Sequence, residues 1–244
     1  MAEGGGPAYV AIITDGNGRW AKARGLSVDH GHRAGAENVR ARLRDAVELG
    51  IRELTVYAFS TENWSRSAAE VKYLIDLIAE YIDRVTPELD AQNVRLRFIG
   101  ERGDPVPSGL VKRMEWAEDL TADNDRITLY VPFNYGGRAE ILRAAGAFDG
   151  TTEEEFRNGL YAPEMHDPEL LIRTGGDHRL SNYLMWQSVE SELVFTDELW
   201  PDFSRKSFEA AIDGFRRRVE RAGESRARSE GQPARESRET LSGH

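Results

Sequence analysis

Apolar and polar positions alternate along this chain in two distinct periods. Tyr9-Val10-Ala11-Ile12-Ile13 is a short β-branched run that ends at a glycine turn, and it predicts a buried strand. Ala34 to Leu49 places Val39, Leu43, Ala46 and Val47 on one face before Gly50, which predicts a helix. Leu54 to Phe59 predicts a second strand. Ala68 to Leu89 predicts a long helix, with Val71, Leu74, Ile75, Ile78, Tyr81 and Ile82 at helical spacing. Val94 to Ile99 alternates and predicts a third strand, and Ser108 to Leu120 a helix behind a Ser cap. Ile127 to Phe133 predicts a fourth strand, followed by a helix from about Ala139. Thr151-Thr152 before three glutamates predicts a short capped helix. Leu170 to Ile172 and Glu192 to Phe195 predict the last strands, and Ser204 to Val219 the closing helix.

Strands and helices take turns through most of the chain. That order predicts an α/β fold: a single domain with a central, mostly parallel sheet flanked by helices. The domain spans 9–223. Residues 1–8 are Gly-rich and read as a flexible N-terminus, while 224–244 is rich in Ser, Arg and Glu and reads as a disordered tail.

Composition narrows the chemistry. The 244 residues are 40% hydrophobic, enough for one sizeable core. Cysteine is absent, which removes thiolate catalysis and Cys-based zinc sites and suits a reducing compartment. The net charge of −10 argues against nucleic acid as a partner, and an anionic substrate then requires a local basic pocket. The sequence predicts no transmembrane segment and no leader, so the expected location is cytoplasmic and the Asn63-Trp64-Ser65 sequon is read as irrelevant.

Candidate chemistry lies where strands end. After the first strand comes Asp15-Gly16-Asn17-Gly18-Arg19-Trp20. The glycines let backbone N–H groups approach an anion, Arg19 can fork onto phosphate oxygens, and Asp15 suits a hard cation such as Mg2+. The same letters also fit a plain Asn-Gly turn with a surface Asp. Further polar clusters, Ser60 to Arg66, Asn134 to Arg138 and Arg173 to Asp177, also follow strands. In parallel sheets that places them at one rim, where ligands bind. Read singly, Arg173 and Arg179 fit surface ion pairs, and Trp20 and Trp64 fit packing.

Taken together, Asp15-Gly-Asn-Gly-Arg-Trp20, Gly31-His32, Phe59-Ser-Thr-Glu-Asn-Trp64 with Arg66, Asn134-Tyr-Gly-Gly-Arg138, Arg173-Thr-Gly-Gly-Asp177 with Arg179-Leu-Ser-Asn182, and Trp200-Pro-Asp-Phe203 resemble the cis-prenyltransferase family. The resemblance runs from about Tyr9 to Gly223. It implies a homodimer, a hydrophobic tunnel beside the sheet, and a Mg2+-dependent reaction that joins an allylic diphosphate to isopentenyl diphosphate. It assigns Gly16, Asn17, Gly18, Arg19, Trp20 and His32 to the allylic diphosphate, and Asp15 to the metal and the leaving group. Ser60, Thr61, Glu62 and Trp64 join the substrate site, where Asn63 and Arg66 orient the acceptor and assist proton loss. Arg173, Arg179, Leu180 and Ser181 resemble the clamp for isopentenyl diphosphate. His178 and Glu192 match positions that complete the metal site, and Arg221-Ala222-Gly223 matches an element that reaches the partner's site.

The chain also departs from the family. Thr14 stands where Met is usual, Val28 where an Arg is common, Asp177 in place of Glu, and Glu190 in place of an aromatic. Pro132 and Phe133 stand where long-chain members carry small residues. Leu129, Val131 and Phe133 share a strand face, so Phe133 is expected to plug the tunnel and limit the product to geranyl or farnesyl length. Two alternatives stand beside this: head-to-middle, lavandulyl-type coupling of two allylic diphosphates, and a non-catalytic partner subunit.

Overall fold

The computed structural model describes residues 5–230. Seven strands form one sheet: β1 (Tyr9–Ile13), β2 (Glu53–Val56), β3 (Phe59–Ser60), β4 (Val94–Ile99), β5 (Ile127–Tyr135), β6 (Leu170–Arg173) and β7 (Glu192–Phe195). Every strand pairing is parallel. β5 takes β4 on one side and β2, continued by β3, on the other; β1, β6 and β7 follow in that order. The helices are α1 (Asn17–Ala23), α2 (Val28–Glu48), α3 (Ala68–Ala91), α4 (Ser108–Leu120), α5 (Gly137–Ala147), α6 (Glu153–Arg157) and α7 (Arg205–Glu230).

The expected second strand, Leu54 to Phe59, is interrupted. Tyr57 N–H still donates to Ile12 O, but Ala58 N–H donates to Pro132 O and the register against β5 then shifts between Phe59 and Ser60. Pro132 has no N–H to give, so the ladder cannot run through it unchanged.

The two sheet faces are covered unequally. Val10, Ile12, Leu54, Val56 and Leu129 pack under α2, α3, α4 and α7 in the larger core. Ala11, Ile13, Tyr130, Tyr135 and Leu171 meet Met165, Tyr183 and Leu184 in a smaller one.

Three further boundaries differ from the sequence reading by more than two residues. α2 starts at Val28, not Ala34, behind Ser27 as its cap residue. The supposedly flexible start is held from Gly6: Gly6, Pro7 and Ala8 are buried, and Ala8 N–H donates to Glu169 at 2.5 Å while its carbonyl accepts from Arg52 and Glu53. α7 runs past Val219 and past 224 to Glu230, because its Arg, Ala and Glu residues favour helix and no proline intervenes before Pro233. Residues 1–4 and 231–244 lie outside the described residues.

Candidate active site

A parallel sheet sends the ends of all its strands to one rim, and side chains from four of them meet there. The chain leaves β1 at Asp15. Its carbonyl accepts from Trp200 N–H at 3.0 Å and from the buried Thr174 hydroxyl at 2.8 Å, which fixes the backbone. Gly16 then takes φ 116°, a conformation reserved for glycine, and opens α1. Asn17, Gly18 and Arg19 form the first turn, whose N–H groups have no acceptor within the helix.

Arg173, at the end of β6, is almost wholly buried and binds two carboxylates. It donates to Asp15 Oδ2 and to Asp177 Oδ2, both at 2.9 Å. Its other amino group donates at 2.5 Å to Arg179 O and Ser181 Oγ. Arg19 lies 3.2 Å from Asp15 Oδ1, and Arg179 donates to Asp177 at 2.6 Å. Three guanidinium groups and two carboxylates therefore meet, leaving an excess positive charge exposed to solvent through Arg19 and Arg179. The arginines that the sequence singled out are together, and Asp15 and Asp177 occupy their donors.

Beside this cluster an apolar cavity of about 190 Å³ opens between α2, α3 and the sheet. Thr14, Asn17 and His32 line it near the rim, and Leu43, Leu89 and Leu96 at its far end. Two buried polar atoms of cavity-lining residues near the rim lack a hydrogen-bond partner among the described residues: Asn17 Oδ1 and His32 Nε2. Glu70 lies 3.7 Å from His32 Nε2, too far for a hydrogen bond. Burial, and then the Arg66 charge, lower the His32 pKa from 6.5, so the imidazole is neutral at neutral pH. Glycine brings these groups into place. A Cβ on Gly31 or Gly35 would collide with Asn17, so these two glycines let α1 lie directly on α2.

The loop after β3 folds as a 3-10 turn, Thr61–Ser65. Ser60 is its cap residue, and Asn63 closes a capping box by accepting from Ser60 N–H at 2.8 Å, while the Ser60 side chain accepts from the Asn63 N–H. Trp64 donates to Asn134 Oδ1 at 2.7 Å and sets its ring edge-on to Phe59, so it packs into the core. Trp20 donates to Asp202 at 2.7 Å beneath the Arg24 guanidinium. Arg66 is bound to Glu70 at 2.7 Å. Thr61 packs against Gly136, and Glu62 accepts from Asn182 at 2.9 Å. The Asn134 to Arg138 segment also meets Asn182, whose carbonyls accept from Gly137 and Arg138 N–H. Asn182 thus ties three rim loops together, a role its sequence context does not signal. Leu180 rests on the smaller core.

Two expectations fail. Within one chain Glu192 does not join Asp15. It is the first residue of β7, opposite Leu170, whereas Asp15 follows the other end of β1. The strand between Glu192 and Phe195 separates those ends by about 10 Å, and Arg218 binds Glu192 at 2.6 Å. His178 is stacked on Phe195, and no set of acidic or histidine side chains among the described residues converges as a metal cluster. The second failure concerns the plug. Leu129 and Val131 are cavity walls, but Phe133 is not; it is stacked on Phe59 at 5.2 Å beyond the break between β2 and β3.

Comparisons with known proteins agree with this geometry. Residues 13–223 match the family described as putative undecaprenyl diphosphate synthase. The chain is 46% identical over 226 residues to an isoprenyl transferase of Thermotoga maritima, covering 89% of this chain and 97% of that one. It is 48% identical over 228 residues to isoprenyl transferase 2 of Bradyrhizobium diazoefficiens, covering 89% and 90%. Among solved structures it is similar to lavandulyl diphosphate synthase from Lavandula x intermedia in complex with dimethylallyl diphosphate. That likeness has a TM-score of 0.82 at 33% identity and covers 86% of this chain and 95% of the other. A probable undecaprenyl diphosphate synthase from Campylobacter jejuni gives a TM-score of 0.74 at 28% identity with the same coverage. A diphosphate-sized cluster of arginines beside an apolar cavity, on a chain with these relatives, belongs to an enzyme that condenses prenyl diphosphates: the chain is a member of the cis-prenyltransferase family.

Proposed function

We propose that this enzyme joins an allylic diphosphate head-to-tail to isopentenyl diphosphate and stores the growing prenyl chain in the cavity between α2 and α3. The observation that carries this is the contact between charged rim and apolar cavity. Asn17 and His32 offer unpartnered polar atoms at the point where the two meet. In this reading Asn17, Gly18, Arg19 and His32 take the allylic diphosphate, and Arg173, Arg179 and Ser181 take isopentenyl diphosphate. Each diphosphate replaces a carboxylate, Asp15 or Asp177, on the arginines. The allylic C–O bond breaks, a C–C bond forms to the acceptor alkene, and one proton leaves the acceptor. Fixed guanidinium and amide donors stabilise the departing pyrophosphate.

Asp15 is the residue that would hold Mg2+, which would offset the charge of the leaving pyrophosphate. The fit is chemical: the carboxylate is one-third exposed beside a place built for diphosphate, and Mg2+ takes one or two carboxylates together with substrate phosphates. Glu192, at the opposite end of β7 and bound to Arg218, lies away from that site within one chain.

Product length follows the cavity rather than Phe133. From His32 to Leu43 the α2 wall extends about 16 Å, and from Leu74 to Leu89 the α3 wall extends about 22 Å. A four-bond isoprene unit spans roughly 4.5 Å by comparison with a three-bond peptide unit, so these walls accommodate at most about four or five units. Geranyl and farnesyl products fall within that ceiling without being imposed by a plug.

Head-to-middle coupling is the second reading. It is favoured by the likeness to lavandulyl diphosphate synthase and by Thr14 at the cavity mouth. Incubation with labelled isopentenyl diphosphate and each allylic diphosphate, followed by chromatography, tests both. Elongated products that require isopentenyl diphosphate and vanish in a folded Asp15→Ala variant support the proposal. Product from dimethylallyl diphosphate alone favours the alternative. No product from any donor pair defeats both and leaves the non-catalytic subunit.

The homodimer is also proposed. Leu142 on α5 and Met185 and Val189 after β6 are exposed apolar side chains, and the neighbouring stretches of chain carry the packed rings of Phe148, Phe156 and Trp186. Such a patch suits an isologous contact with a second copy.

A further inference from the structure

The outer seam between α2 and α3 is closed by charge. Arg33 forks onto Glu80 at 2.7 and 2.9 Å. One turn later Glu37 accepts from the Tyr81 hydroxyl at 2.6 Å, from Arg84 at 2.7 Å and from Arg40 at 3.1 Å, and Arg40 also reaches Glu88. Burial opposes ionisation of Glu37, but the bonds from Tyr81, Arg84 and Arg40 outweigh it and hold the carboxyl at about 2.

Two of these groups have a second side. Arg40 and Tyr81 are walls of the cavity, whereas Arg33, Glu80, Arg84 and Glu88 are not. Their polar ends are engaged outside at Glu37, so the Arg40 stem and the Tyr81 ring are what remain to face inward. Glu37 therefore holds one wall side chain on each helix, sharing Arg40 with Glu88 and Tyr81 with the Arg84 guanidinium over its ring. Arg40 stands two turns beyond His32, about 12 Å from the rim, which is roughly two to three isoprene units into the cavity.

We propose that Glu37, by clasping Arg40 and Tyr81 across the seam, sets the cavity's width at that depth and so the chain length at which elongation slows. Glu37 is a positioning residue that acts through two wall side chains. This rests on the reading that the cavity takes the prenyl chain.

The test is product length from the full chain, with farnesyl diphosphate and labelled isopentenyl diphosphate, in four variants. Glu37→Ala and Arg40→Ala are expected to raise the mean product by at least about one isoprene unit, because deleting a wall side chain or its tether opens space. KM for both diphosphates is expected to stay within roughly twofold, since the rim is untouched. Arg33→Ala breaks a pair in the same seam that borders no cavity, and it is expected to leave the distribution unchanged. Unaltered products in Glu37→Ala overturn the clasp, as does an equal shift in Arg33→Ala. Val131→Phe, or Leu129→Phe should the first fail to fold, narrows the cavity from the sheet side and is expected to shorten the product. If it does not, the storage reading fails, and the clasp with it; if it does while Glu37→Ala changes nothing, only the clasp fails.

Discussion

Asp15 and Asp177 sit on the arginines as internal anions. That explains how Arg173 tolerates burial: its charge is matched by carboxylates, and it also donates to Arg179 O and Ser181 Oγ. His32 is the opposite case, a largely buried imidazole with only the Glu70 carboxylate, 3.7 Å away, beside its Nε2. Because burial and Arg66 lower its pKa below 6.5, protonation is disfavoured in the free enzyme. A diphosphate beside it favours the imidazolium, so the pKa rises on binding. Binding therefore takes up protons in the window between the two values, and affinity for the allylic diphosphate strengthens as the pH falls through that window. Titration calorimetry in two buffers of different ionisation enthalpy should show this proton uptake with wild type, and its loss in His32→Gln. Asp15 and the arginines were legible in sequence because they cluster after strands. The capping box that Asn63 closes was not legible, because it depends on the turn type rather than on residue identity alone.

α2 shows why an element boundary escaped the sequence. The first turns of α2, Val28 to Arg33, are mostly polar and contain Gly31, which weakens helical propensity, so the periodic signal starts only at Ala34. Gly31 and Gly35 are tolerated because α1 needs their missing side chains for its approach to α2. By contrast β4 and α4 match their sequence boundaries, since their patterns are uninterrupted. Gly35→Ala places a methyl group against the Asn17 side chain and should cost about 1–3 kcal/mol as an overpacking change. Chemical denaturation should record that loss, and kinetics at saturating isopentenyl diphosphate should show a raised KM for the allylic substrate as Asn17 is displaced.

At the scale of the molecule, alternation of strands and helices was enough to predict the parallel sheet, because each crossover in such a chain returns to the same side of the rim. The unequal covering of its faces was not legible, since strands buried on both sides read as uniformly apolar. The exposed apolar side chains of Leu142, Met185 and Val189 define the proposed contact between copies. Light scattering should give a dimer for wild type and a monomer for a Leu142→Asp, Val189→Asp double variant, because each buried carboxylate would lack a partner.

The break between β2 and β3 gives the entrance its own freedom. Val56, Tyr57 and Ala58 line the cavity at the point where the ladder changes partner, and the Thr14 hydroxyl donates to the Tyr57 carbonyl there. In an unbroken strand their side chains would be committed to alternate faces, and enlarging one would disturb the register of its neighbours. Here Tyr57 and Ala58 lie between β2 and β3, outside both strands. That part of the doorway can be recut while the sheet behind it stays standing.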